Sequence, residues 1–413
     1  MSISSAMYTG LTGLSSFGEA MGVLGDNIAN LSTTGFKYSQ VCFEDLMAQM
    51  VSTGSGPGQE GRGTRISQIT PIFSQGSLET SADDVDVAIT GTGFLIVKEP
   101  TAGAVYYTRD GNFSLNKDGY LVNAHGYQVQ GKQMVNGSPS GTDTDIVISA
   151  NYSPPQPTAN MEMVLNLDSN TAVGGSYSSA LSVYDSQGNS HTVDMTFTKD
   201  LVLANTWNVT GTLDGVAIPP ANIVNHDGTT PTSPLTFNAS GTLTSGGDYD
   251  ITLSGGSMSA PLTLRLLMNG TSGGSTTQYA ASSVTNYASQ DGYGPGYLQR
   301  VSINNEGIIT GTYSNGQITP LYQLTLARFN APTKLHREGS NLYTETQDSG
   351  VPLTGAPSTN GLGSITSNSL EQSNTDLSEQ FVHMIIYQRD FQANSRVITT
   401  SDTMLEEVLS LKR

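Results

Sequence analysis

Apolar residues near the start of the chain recur at a four-three spacing: Ile3, Met7, Leu14, Phe17, Met21, Leu24 and Ile28, with Gly10 in the remaining place. The last stretch repeats the pattern. Leu377, Met384, Phe391, Ile398 and Leu405 fall every seventh residue, and Phe381 and Leu409 hold the companion places. A sustained heptad stripe predicts helices that pack along a seam. One helix is expected over 1–30 and another over about 376–411, as a coiled-coil-like pair. Asp376 with Glu379 three later resembles a capping box, and Lys412 and Arg413 suit the negative end of the helix dipole. At ~1.5 Å per residue the second helix would run about 50 Å. The first covers only part of that length, so other subunits are the natural partners for the rest. Glycines at 10, 13, 18, 22 and 25 each weaken the first helix by about 0.5–1 kcal/mol relative to alanine. Such a helix depends on packing partners.

Between the helices the pattern is that of short strands. The string from Asn27 through Asn30, Thr33, Gly35 and Phe36 to Lys37 reads as a helix exit into an extended turn. Val41 to Val51 reads as a short amphipathic stretch and Thr53 to Thr64 as a glycine-rich linker. The linker lacks the lysine of a phosphate cradle. Val85, Val87 and Ile89 alternate with Asp84, Asp86 and Ala88, which predicts a half-buried strand with its carboxylates in solvent. Gly93 to Val97 is a continuously apolar strand, and Asp110-Gly111 and Asp118-Gly119 signal hairpin turns. The oxygen-bearing series from Asp110 to Asp118 is not an EF-hand loop, because Leu115 and Leu121 stand where glycine and glutamate are needed.

The texture changes after about 146, behind the stiff segment Ser153-Pro154-Pro155-Gln156-Pro157. Alternations around Val183, Val193, Phe197, Trp207, Phe237 and Leu264 predict an all-β insert, a sandwich or barrel, with long polar loops at 224–234 and 269–277. After about 286, Ser302 to Ile309 echoes Ser114 to Leu121. The expected organisation is therefore nested. The chain is mainly β with helical termini. Residues 1–30 and 370–413 form an assembly domain, and 31–65 and 350–369 connect it to the rest. Residues 66–145 and 286–349 form an inner β domain, and 146–285 an inserted outer one.

Composition narrows the function. Lys+Arg number 17 against 35 Asp+Glu, a net charge of −18, which argues against nucleic acid and anionic membrane surfaces. Only 13% of residues are charged, so the surface is hydrated mostly by hydroxyls and amides. No apolar run approaches the roughly 18–20 residues of a membrane span. The lone cysteine, Cys42, excludes an intramolecular disulfide and reads as a small apolar residue. The first basic residue is Lys37, so no Sec-type signal is expected. The five histidines show no metal-ligand spacing, and no nucleophile elbow, Walker loop or dinucleotide fingerprint occurs. No cofactor, metal or catalytic residue is expected.

Several stretches resemble the bacterial flagellar axial proteins, the rod, hook and hook-associated families. Asn27, Asn30, Thr33, Gly35, Phe36 and Lys37 match the motif that ends the N-terminal helix in that group. Asp86-Val87-Ala88-Ile89 with Gly93-Phe94-Leu95 resembles its β-domain start. Leu370 to Leu377, followed by Met384, Gln388, Arg389, Phe391, Asn394 and Ser395, resembles its C-terminal helix. The segments Val183 to Asn189, Asp291-Gly292-Tyr293 and Gly311 to Gly316 resemble the hook branch. The resemblance implies a non-enzymatic subunit of a hollow tube acting as a universal joint, exported without a cleaved Sec signal to the flagellum. Its implied partners are other hook subunits, the rod, the hook cap, the hook–filament junction proteins and the export apparatus. Gln380 and Asn394, opposite the stripes, would then line a channel. A distal rod protein, a surface adhesin binding through 146–285, and a hydrolase using surface carboxylates are the alternatives.

Overall fold

The computed structural model describes residues 3–53, 56–148, 152–226, 234–255, 258, 260–269 and 274–410, with the side chains of Ile3, 51–53 and 56–58 outside the description. Lys412, Arg413 and much of the two polar loops expected at 224–234 and 269–277 also lie outside the described residues. The chain is mainly β, with helix α1 (Ile3–Ala29) and helix α2 (Leu377–Ser410) packed together. Asp376 caps α2: its Oδ1 accepts the backbone N–H groups of Ser378 at 2.7 Å and Glu379 at 3.3 Å. Two compact units are present. The first comprises 1–149, 301–311 and 319–413, and the second 150–300 and 312–318.

In the first unit, Ser39–Asp45 pairs antiparallel with Thr64–Pro71, and Gln49–Thr53 with Gly56–Glu60. The stretch expected to be amphipathic and the expected glycine-rich linker are thus strands. Backbone pairing needs no side chains, so a glycine-rich segment can take it up, and Met47 and Met50 are left exposed. Phe94–Lys98 is the central strand of the β body, between Val105–Thr108, Gln128–Val135 and Leu326–Arg328. Phe94, Tyr107, Phe329, Tyr343 and Phe73 interlock there, with the Tyr107 and Phe329 rings 4.8 Å apart edge to face. The returning chain is woven into this unit. Leu353–Gly355 pairs with Leu326–Arg328, Ser364–Ser367 with Val87–Thr90, and Ser369–Glu371 with Leu78–Thr80.

Two local expectations fail for identifiable reasons. Asp110-Gly111 is not a hairpin turn, because Val105–Thr108 and Phe113–Leu115 pair with different strands. Gly111 is there for close approach: a Cβ on it would lie 1.7 Å from the Val87 carbonyl oxygen. Asp86 is buried, not solvent-facing, accepting the Phe113 N–H and the Ser81 hydroxyl. Val87, Ala88 and Ile89 are all buried, so this strand is covered on both faces.

The echo between Ser114–Leu121 and Ser302–Ile309 is a shared turn. Asn116 Oδ1 accepts the N–H groups of Asp118 and Tyr120, both at 2.9 Å, while Asn304 Oδ1 accepts those of Glu306 and Ile308. Gly119 and Gly307 close the two turns at φ +82° and +72°. The same Asx-x-x-Gly device recurs at Asn123, Asp185 and Asn238. It sets hairpins in both units and marks no domain repeat.

The second unit is a two-sheet β-sandwich. One sheet is built on Ser176–Tyr184, Ser190–Lys199 and Thr206–Leu213. The other is built on Asn160–Asn166, Val284–Gln290, Asp248–Leu253 and Leu262–Leu267. Inward residues from both sheets, including Met161, Met163, Phe197, Trp207, Tyr249 and Leu266, form one core. Asp291 ties the entry to the exit, accepting the N–H groups of Ala159 (2.8 Å) and Asn160 (2.9 Å) and the Asn160 amide (2.7 Å).

Phe197 is fully buried, so Phe197→Ala is expected to lower the second unit's stability by about 3–5 kcal/mol. Denaturant unfolding followed through Trp207 checks this, and an unchanged midpoint would refute the packing account. For Asp291, burial opposes ionisation, but the three N–H donors outweigh it and hold the carboxyl below its ordinary 3.8. A depressed carboxyl contributes stability above its unfolded value and loses it as pH falls through the folded one. Thermal melts of Asp291→Asn should lie below wild type at pH 7, and the gap should close as pH falls below the ordinary carboxyl value of 3.8 and through the folded one.

Candidate assembly site

α1 and α2 meet along small side chains. The buried face of α1 is Gly10, Gly13, Ser16, Ala20, Leu24 and Asn27, at helical spacing. A Cβ on Gly13 would lie 2.7–2.8 Å from the Asn394 side-chain amide, and one on Gly10 3.1 Å from Ile398. These two glycines let α2 approach, whereas Gly18, Gly22 and Gly25 have nothing within 4 Å of such a Cβ. Met7, Leu14, Phe17, Met21 and Ile28 flank the seam half-buried, and Leu24 is buried in it. On α2, Met384, Phe391, Ile398 and Leu405 are half-buried. Leu377, Phe381 and Leu409 are exposed within the chain. Gln380 and Asn394 do not face away from the seam as expected. Gln380 is buried, and Asn394 packs against Gly13.

One end of the seam is fixed by directed bonds. Asn27 is fully buried. Its amide donates to the Ser39 carbonyl at 2.8 Å and to Gln380 Oε1 at 3.0 Å, while its Oδ1 accepts the Ser39 N–H at 2.8 Å. The side chain thus supplies Ser39 with the donor and acceptor that a neighbouring strand would. Phe17, Phe43 and Tyr387 form a ring cluster at 5.2–5.9 Å, joining α1, the first strand and α2.

The motif after α1 leads into a buried ionic centre. Asn30 and Thr33 close the helix exit, with the Thr33 hydroxyl donating to Asn30 Oδ1 at 3.1 Å. Gly35 has φ +69°, and a Cβ there would lie 2.6 Å from the Asp110 backbone nitrogen. Its N–H donates to the Glu371 carbonyl at 2.7 Å. Phe36 is buried beneath the Arg337 guanidinium, 5.2 Å from its ring centroid. Lys37 Nζ then donates to Glu371 Oε1 at 2.6 Å and to the Ser74 carbonyl at 2.8 Å. Arg109 Nη1 reaches Glu371 Oε2 at 3.3 Å, and its Nη2 donates to the Gly91 carbonyl at 2.8 Å. The Gly76 N–H completes the set, 2.9 Å from Glu371 Oε1. Burial pushes the Lys37 and Arg109 values down, and the Glu371 charge pulls both back up. One residue later, the Tyr38 N–H donates to Asn374 Oδ1, and the Asn374 amide donates to the Ile72 and Ser74 carbonyls.

The geometry is that of a structural joint. It brings together residues from both ends of the chain and the β body around one carboxylate. Lys37 and Glu371 lie in stretches that the sequence singles out. Asn374 shares the stretch of Glu371, whereas Arg109, Phe43 and Tyr387 carry no signal of their own in a single sequence. Among the described residues no group of three or more His, Cys, Asp or Glu is placed to hold a metal.

Comparison with known proteins gives the class. Residues 7–37 match the family profile "Flagella basal body rod protein" and 88–158 match "Flagellar hook protein FlgE/F/G D1 domain". Residues 148–293 match "Flagellar basal body protein FlaE D2 domain", and 366–411 match "Flagellar basal body rod FlgEFG protein C-terminal". The flagellar hook protein FlgE of Treponema pallidum is 33% identical over 99% of this chain and 99% of its own. That of Borreliella burgdorferi is 33% identical over 98% and 99%, and that of Salmonella typhimurium 33% over 97% and 98%. A solved structure, Helicobacter pylori FlgE2, covers 71% of this chain and 100% of its own at 14% identity and a TM-score of 0.48. The chain belongs to the flagellar hook protein FlgE family. It is a hook subunit, and neither a rod protein nor an adhesin is favoured.

Glu371→Gln leaves two buried cations around a neutral amide and should cost the first unit about 3–5 kcal/mol. Between its lowered value and 10.5, Lys37 binds fewer protons folded than unfolded, so stability rises with pH there. Loss of Glu371 deepens the depression, and the variant's deficit should narrow as pH is raised toward 10. Denaturant unfolding at pH 7 and pH 9.5 checks both statements. Equal stability of variant and wild type at pH 7 would refute the joint.

Proposed function

We propose that this chain polymerises through α2 into the hollow, flexible tube of the hook, passing torque from motor to filament as a universal joint. The observation that carries the reading is the set of large apolar side chains that α2 leaves exposed within the chain. Phe381, Val382, Ile385, Ile386, Val397, Met404, Val408 and Leu409 are each between 44% and 67% exposed, along one 34-residue helix. A helix covered along one side, with large apolar side chains left exposed, is built to be buried further. Tyr8 and Leu11 add exposed apolar surface on α1. The sparse charge of the sequence lets neighbouring copies shift without breaking strong ion pairs. The role is structural, with no catalytic step. The partners are other copies of the chain first, then the rod, the hook cap, the junction proteins and the export apparatus. The site of action is the flagellum, outside the cell.

Charges among these exposed side chains test the reading. Ile385→Asp with Ile386→Asp should leave the helix content and the melting of the second unit unchanged. It should also abolish tubes in electron micrographs of concentrated protein in which wild type forms them. Tubes of normal length from the double variant would sink the proposal.

A further inference from the structure

His191 is buried in the second unit, 2% exposed, between two carboxylates. Its Nδ1 is hydrogen-bonded to Asp214 Oδ2 at 2.8 Å, and its Nε2 lies 3.6 Å from Asp185 Oδ2, an ion-pair distance. Nε2 is enclosed and has no hydrogen-bond partner among the described residues. Among those residues, Asp185 and Asp214 are the charged groups that face the ring, one from the turn at 185–189 and one from the turn after Thr206–Leu213. Both carboxyls are held below their ordinary 3.8. For Asp185, burial opposes ionisation, but the Asn189 and Gln187 donors and His191 outweigh it. For Asp214, the His191 hydrogen bond is the main cause.

The turn at 185 has no need of a charge. Asp185 Oδ1 accepts the N–H groups of Gln187 at 2.9 Å and Asn189 at 2.8 Å. The same turn is built on asparagine at Asn116, Asn123, Asn238 and Asn304. The second oxygen of Asp185 takes the Asn189 amide at 3.0 Å and faces His191. The turn also has a seat. A Cβ on Gly188 would lie 2.5 Å from Pro295 and 2.7 Å from Pro155. Just before the turn, the Tyr184 N–H donates to the Thr158 hydroxyl at 2.9 Å. Pro155, Thr158 and Pro295 lie in the segments by which the chain enters and leaves the second unit.

A neutral imidazole carries one N–H. The bond to Asp214 holds that proton on Nδ1, so a neutral ring turns its Nε2 lone pair toward the Asp185 carboxylate. Two acceptors then face each other in a buried place, which is costly. A charged ring donates on both sides. We infer that His191 is a proton-operated latch at the root of the second unit. With both nitrogens protonated, the ring ties the Asp185 turn to Asp214. When Nε2 gives its proton to water, the turn loosens from Pro155 and Pro295. The stabilisation is present while the ring is charged and is lost as pH rises through its titration. The root is then firmer on the acid side of that titration than on the alkaline side.

Two readouts on the full chain test the latch, from about pH 5.5 to about pH 10, a span that brackets the usual range of histidine titration. Nitrogen NMR of labelled histidines, with His191 assigned through its backbone, gives the charge of the ring. Amide exchange, taken relative to an unstructured chain at the same pH, gives the protection of the Gln187 and Asn189 N–H groups. As His191 loses its second proton, that protection should fall about tenfold, the order of one charge-assisted contact. Asp185→Asn keeps an acceptor for the turn, as the asparagine turns do, and should not show the fall. A ring that is neutral at the acid limit, or still charged at the alkaline one, would overturn the inference. So would a turn whose protection ignores the charge of the ring, or the same fall in Asp185→Asn as in wild type.

Discussion

The carboxylate of Glu371 is the constraint on which the first unit depends. It is fully buried and shared by Lys37, Arg109 and the Gly76 N–H. Each partner comes from a different part of the chain. Lys37 follows the first helix, Glu371 precedes the second, and Arg109 belongs to the β body between them. A buried charge left without partners is costly, and the wrong neighbours cannot supply two cations in this geometry. The centre therefore specifies which segments meet more than it adds net stability. Around it, Gly35, Phe36, Tyr38 and Asn374 fix the backbone directions with which the chain leaves one helix and enters the other.

Much of the fold could be read from the sequence, because helix and strand periods write themselves in hydropathy. The paired helices follow from Met7, Leu14, Phe17, Met384 and Phe391. What hydropathy could not show is the seam itself. Gly10, Gly13, Ser16 and Ala20 carry almost no hydropathy signal, yet they are the buried face, and the large apolar residues flank it. The same blindness misplaced Gln380 and Asn394, whose amides read as solvent-facing and are enclosed by Asn27 and Gly13. The ionic centre was out of reach for another reason. Lys37 and Glu371 lie 334 residues apart, and nothing local in one sequence names a partner at that distance. The Asx-x-x-Gly turns were legible in principle. Two copies stood out as an echo, and their mechanism, an Asx oxygen taking two N–H groups, explains the similarity without a repeated domain.

The molecule uses two kinds of contact for two purposes. Within the chain, the helices are brought close by small residues and oriented by directed polar bonds such as Asn27 to Gln380. The surface left over on α2 carries large apolar side chains, Phe381, Ile385, Ile386 and Met404 among them. Close, polar and directed contacts give one arrangement. Broad apolar contacts tolerate small shifts at little cost, since the hydrophobic effect has no direction. A subunit built this way can be rigid inside and compliant at its boundary.

The unequal helices have one more consequence. Gly10 packs against Ile398 and Asn27 against Gln380, so the pair is antiparallel. At 1.5 Å per residue that alignment sets the start of α1 about level with Leu405. Beyond it, Val408 and Leu409 protrude, 55% and 67% exposed. Among the described residues the pair therefore ends in a step. Masonry laid with staggered ends has no plane along which it parts cleanly, and a lap joint carries tension that a butt joint cannot. A stack of such stepped units would share each pull across several neighbours at once.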